Sequence, residues 1–230
     1  MNKTANQMDM RHRPIRRGTP ERRQAILRGA RTVFGSEGYT RASIDAIAAE
    51  AGVSTRTLYN HFTDKESLFR TVLLESAASV SAATEAVFER HFRTSASVEQ
   101  SLLDLALDWA RQSDVHPEHF ALVRQIIPEG PRLPADVLKE WERIGPRATR
   151  AALERRLLEV GRQGLLAIDA ANSAQAARHL AMLIGGGVMT ESYFGALPLS
   201  DEQIEGLVTD GARIFLQMYA RTGDAGPGPV

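Results

Sequence analysis

The stretch VSTRTLYNHF, residues 53–62, decides the fold. Only Val53, Leu58 and Phe62 have the character of core residues; the others are polar, charged or aromatic with a polar end. Ser54 stands where an N-cap is needed, with Val53 before it and Leu58 at the fourth helical position. That is the arrangement of a hydrophobic staple, which fixes the angle at which the chain enters the helix. With successive residues 100° apart, Leu58 and Phe62 define the buried side, Arg56 and Asn60 point away, and Tyr59 and His61 lie on the flanks. So large a polar surface on so short a helix asks for a partner.

Two helices are predicted upstream. Thr19-Pro20-Glu21 is a helix start: a cap candidate, a proline whose missing N–H costs nothing there, and an acid near the positive end of the dipole. This helix buries Ile26, Ala30, Val33 and Phe34, runs to about Glu37 and stops at Gly38. The next begins at Ser43, carries Ile44, Ile47, Ala48 and Ala51 on one face, and ends at Gly52, which can take the left-handed conformation of a tight turn. Three helices with a short glycine turn before the last make a helix-turn-helix. Downstream, Thr63-Asp64-Lys65-Glu66 matches a capping box that opens a long helix to about Phe92. Further helices are expected at about 97–113, 117–128, 134–163, 172–194 and 201–221, with no alternating strand, so the chain reads as all-α.

The 230 residues and 43% hydrophobic content support a folded, soluble protein with a sizeable core. No cysteine is present, which excludes disulfides and thiolate metal sites. Neither a signal peptide nor a membrane span is legible, and a reducing cytoplasm is the expected location. The net charge of zero hides an asymmetry: residues 1–70 hold 13 Lys+Arg against 7 Asp+Glu, and residues 71–230 hold 15 against 21. A basic head on an acidic body suits a head that meets a polyanion. Residues 1–18 read as a flexible basic arm ending in Arg11, Arg13, Arg16 and Arg17, either a solvated tail or a segment that follows phosphates or enters a minor groove. Residues 223–230 read as a disordered tail.

Double-stranded DNA satisfies the polar helix. Its outer face would meet base edges and its flanks the groove walls. Arg56 has the fork geometry for guanine, and Thr55, Thr57 and Asn60 supply hydrogen bonds to bases or phosphates. Alone, its polarity favours an ordinary surface helix; the preceding helix, the glycine turn and the basic arm reverse that in favour of DNA. Residues 21–69, with ARTVFGSEGYTRASIDAIAAEAGVS followed by TLYNHFTDKESL, resemble the DNA-binding domain of the TetR family of transcriptional regulators. The resemblance implies an all-helical homodimer on a palindromic operator, with a DNA-binding head at 19–65 and a ligand-binding and dimerisation body at 66–222. It places Ser54, Thr55, Arg56, Thr57, Tyr59, Asn60 and His61 at the DNA surface, with Ser43 and Lys65 gripping phosphate from helix starts. For His61, packing against Leu58 is the competing role.

In the body the resemblance is mainly architectural. The segment FALVRQIIPEGPRLPADVLKEWERIGPRATRAALERRL is similar to the C-terminal domain of AefR-like regulators. The resemblance implies that helices 172–194 and 201–221 form the dimer interface, through positions such as Ala176, Leu180, Leu183, Ile184, Val188, Leu207, Ile214, Phe215 and Met218, each of which could instead serve its own core. Phe88, Trp109, Phe120, Met182 and Tyr193 are candidates for lining an effector pocket, or plain core. Gly185-Gly186-Gly187 marks either a close helix approach or a break. His116 and His119 beside Asp114 raise a metal site, against which a solvated loop is the simpler reading. No phosphate loop, nucleotide fingerprint, nucleophile elbow or HExxH is present, so neither enzymatic activity nor a cofactor is expected. The implied function is a ligand-responsive regulator in which an apolar or amphipathic effector tilts the fourth helix. The alternatives are a DNA-binding dimer governed by a protein partner or by no inducer, and a helical enzyme or carrier with an incidental basic head.

Overall fold

A computed structural model describes residues 19–91, 97–193 and 197–221; the arm with Arg16 and Arg17, the C-terminal tail and Phe194 lie outside them. The described residues form helices α1 (Pro20–Arg41), α2 (Ile44–Glu50), α3 (Thr55–Tyr59), α4 (Lys65–Arg90), α5 (Val98–Ala110), α6 (Gln112–Val115), α7 (Pro117–Glu129), α8 (Ala135–Glu142), α9 (Ala148–Arg162), α10 (Ser173–Ala181), α11 (Gly187–Glu191) and α12 (Asp201–Tyr219). No strand occurs among them. Single π-helical turns at Arg143–Arg147 and Met182–Gly186 join α8 to α9 and α10 to α11, widening the expected long helices without ending them.

Local signals set the head. Ser43 caps α2 by accepting from Ala46 N at 3.0 Å, and Ser54 caps α3 by accepting from Thr57 N at 3.1 Å. Gly52 takes φ +63° in the turn between them. The box at the start of α4 is shifted by one residue: Asp64, not Thr63, accepts from Ser67 N at 2.7 Å, and Ser67 Oγ answers the Asp64 amide. Beneath these helices Ile26, Ala30, Phe34, Ile47, Leu58, Leu68 and Val72 are buried. Phe69 sets its ring edge-on to Phe34 at 5.1 Å.

The head does not close on itself. Leu122 of α7, Leu133 from the turn before α8 and Val137 of α8 belong to the same apolar cluster, so the core runs across the boundary expected at residue 65. A second cluster fills the body, where Phe88, Leu102, Leu105, Leu153, Leu157, Leu180, Val208 and Phe215 are all buried. Of the positions weighed for a dimer interface, Ala176, Leu180, Ile184 and Phe215 are therefore core of their own protomer. Ile214 and Met218, by contrast, are half exposed on α12.

His119 sits under the α6–α7 junction, with Nδ1 3.0 Å from Ser76 Oγ of α4. Burial, then the neighbouring His116 and Arg31, push its pKa down to about 4. Between about 4 and the ordinary 6.5, the unfolded chain binds this proton and the folded chain does not. His119 thus contributes stability that is complete above pH 6.5 and is lost as pH falls toward 4. The melting temperature of wild type should fall as pH drops through that window, and His119→Gln should flatten the dependence.

Candidate nucleic-acid interface and apolar cavity

The α2–turn–α3 unit presents an exposed polar surface. Arg56, Tyr59 and Asn60 are exposed, Thr55, Thr57 and His61 are partly so, and Leu58 is fully buried beneath them. Arg56 engages its side chain with no described residue, and Tyr59 leaves about half of its surface (54%) in solvent. Ser43 and Ser54 are exposed, with their oxygens accepting cap bonds and their O–H groups left to donate. Ser54 and Thr57 hydroxyls also lie 2.9 Å apart. His61 turns a buried Nε2 into the protein without a hydrogen-bond partner.

Lys65 is engaged within the head. Its ammonium donates to the carbonyls of Tyr39 at 2.9 Å and Ala42 at 3.1 Å and lies 4.7 Å from the Tyr39 ring centre. A cation at the negative end of α1 satisfies carbonyls the helix leaves unpaired, so in the free protein this side chain holds α1 to α4.

The same end of α1 is gripped from the body. Gly38 breaks the helix at φ +80°, ψ 171°, where the sequence predicted the stop, and one more turn follows. Into the break comes Glu129, the last residue of α7, whose carboxylate accepts from the amides of Tyr39 and Thr40 (3.1 Å to the latter). A Cβ on Gly38 would lie 2.8 Å from that carboxyl group, besides being strained at this φ. Farther back along α1, Gln125 donates to Gly35 O at 3.2 Å, Ala121 packs where a Cβ on Gly35 would come within 3.1 Å of its own, and Arg31 pairs with Glu118 at 3.2 Å.

The opposite face of α7 lines a cavity of about 360 Å3. Phe120, Val123, Arg124 and Ile127 contribute from α7, Trp109 from α5, and Ile184 with Val188 from the segment around the second π turn. Two of the five pocket candidates, Trp109 and Phe120, line it. The other three do not. Phe88 stands behind Trp109, edge-on at 5.2 Å and buried in the body core, while Met182 and Tyr193 are exposed and lie outside the cavity. The glycine run resolves against both readings weighed for it. The helix continues, and no heavy atom lies within 4 Å of a Cβ built on Gly185 or Gly187. Gly185 and Gly186 instead line the cavity, where missing side chains leave space. Among the described residues, no three His, Cys, Asp or Glu are grouped to hold a metal ion, and no helix is long and apolar enough to cross a membrane.

A family model for bacterial regulatory proteins of the tetR family matches residues 26–72, and one for the C-terminal domain of AefR-like transcriptional repressors matches residues 100–221. The chain belongs to the TetR family. Its members are DNA-binding transcriptional regulators and not enzymes. This TetR-family chain is similar, at 42% identity over 57 residues, to the transcriptional repressor AcnR of Corynebacterium diphtheriae, and at 40% over 53 residues to the regulator UidR of Escherichia coli K12. These matches cover 25% and 23% of this chain, and 30% and 27% of those relatives. A solved TetR-family regulator from Mesorhizobium loti MAFF303099 aligns over 87% of this chain and 98% of its own with a TM-score of 0.78 and 28% identity. The flavonoid-responsive regulator FrrA aligns over the same shares, with a TM-score of 0.61 and 28% identity. TetR membership thus extends through the body, whose helices coincide with the AefR-like match.

Proposed function

We propose that this regulator is a repressor that binds a palindromic operator as a dimer and is released when a small apolar or amphipathic molecule enters the body cavity. The observation that carries this reading is the division of α7 into two faces. Residues 120, 123, 124 and 127 line the cavity, and residues 118, 121, 122, 125 and 129 hold α1 or complete the head core. Both sets follow helical spacing, so a shift of α7 around an effector reaches the head directly. The fourth helix remains a second connection, since α4 begins in the head and packs on α9 in the body. An operator needs one separation of the two heads; an effector that favours another weakens DNA binding by linkage.

For the DNA surface, Arg56 and Tyr59 serve base readout, and the hydroxyls of Ser43, Ser54, Thr55 and Thr57 serve the backbone. The exposed Met182, Met189, Ile214 and Met218 of the C-terminal helices form the dimer face. Ile214→Glu with Met218→Glu should shift the particle, by light scattering, from twice the 25.2 kDa chain mass toward that of a single chain. Retention of the dimer would place the interface elsewhere.

The experiment for the whole reading is fluorescence anisotropy with the gene's upstream DNA against scrambled DNA across a salt series. Preference for the upstream fragment with a steep salt slope supports an operator there. Equal weak binding to every fragment, including those recovered by genome-wide selection, overturns sequence-specific repression.

A further inference from the structure

We infer that the effector is an amphipathic organic acid, with an apolar body among Trp109, Phe120 and Ile184 and an anionic end on the guanidinium of Arg124. This rests on the reading of the cavity as the effector site. Among the described residues that line the cavity, Arg124 is the only charged one, and it makes no ion pair with any described residue. Nearly all the remaining lining is apolar, with hydroxyls from Ser113 and Ser192. Such a cavity takes its affinity from apolar surface and its orientation from the few polar groups it offers.

Charge decides the class. No Asp or Glu among the described residues lines the cavity, so an ammonium ligand would find no carboxylate there and would sit beside a fixed positive charge. A neutral ligand would leave the guanidinium unpaired at the mouth. A carboxylate, sulfonate or phosphate matches its planar fork through two parallel hydrogen bonds. Arg124 is itself exposed, so the acid end lies at the mouth with water around it and the apolar end inside. That placement fixes which way round the ligand enters. It also puts the ionic contact on α7, the helix that grips α1.

Two matched pairs test this by calorimetry on the full chain: 1-naphthylacetate against 1-naphthylacetamide, and octanoate against octanamide. Each acid should bind wild type about tenfold more tightly than its amide, the scale of one partly solvated charge-assisted contact. Arg124→Gln should bring acid and amide to equal affinity. Gly185 has no positive φ and nothing within 4 Å of a built Cβ, so Gly185→Leu fills the cavity and should abolish binding of both members. Equal affinity of acid and amide for wild type, or an acid preference that survives Arg124→Gln, overturns the acid proposal and leaves the cavity reading standing. Failure of both pairs to bind wild type at millimolar concentration overturns the cavity reading and this proposal with it.

Discussion

Arg56→Ala should lower operator affinity by about 10- to 100-fold for each head, with the fold unchanged. Stability is untouched because the side chain is exposed and engages no described residue, so its removal leaves no orphaned partner. The loss falls on DNA alone, and its form separates two roles. A base contact relaxes discrimination at one operator position and leaves the salt dependence as it was; a phosphate contact weakens all sequences alike and lowers the salt slope by about one. Anisotropy titrations of wild type and variant on an operator and on single-position variants of it give both quantities. A variant that binds every DNA like wild type removes Arg56 from the recognition surface.

Glu129→Ala should cost about 2 kcal/mol, the scale of losing a charged acceptor for backbone amides, and lower the melting temperature by about 4 to 8 °C. The carboxylate fills the break at Gly38 and accepts from Tyr39 and Thr40, so its loss frees the end of α1 that Lys65 holds from the other side. The functional consequence is larger. With this contact gone, α7 still meets the cavity but has lost its hold on the last turn of α1. Effector binding should persist by calorimetry while the change it causes in operator affinity shrinks. Induction equal to wild type in a destabilised variant would assign the coupling to α4.

The local character of the head made it legible. Caps, a staple, a left-handed glycine and a 3.6-residue apolar period all act within a few residues, so Ser43, Gly52, Ser54 and Leu58 could be given their tasks from their neighbours in the chain. The same holds for the stop at Gly38 and for most helix boundaries in the body. The one-residue shift of the cap to Asp64 shows the limit, since Thr63 and Asp64 are both chemically fit to cap and only backbone geometry chooses between them.

What the sequence could not decide depends on residues far apart in the chain. Lys65 matched a phosphate-gripping position, yet the carbonyls of residues 39 and 42 capture its ammonium. Glu129 carried no local signal, because the amides it accepts from lie about 90 residues away. Aromatic size suggested Phe88 for a pocket, and only packing shows Trp109 standing between it and the cavity. The glycine run at 185–187 was visible as an oddity, and its volume acquired meaning when α5 and α7 closed around it. The sequence determined the helices and the polar chemistry of the exposed α2–α3 surface, because local backbone preferences and side-chain periodicity suffice for both. Tertiary structure alone decided which side chains line the cavity and which join it to the head, because a helix has several faces and only its neighbours in space assign them.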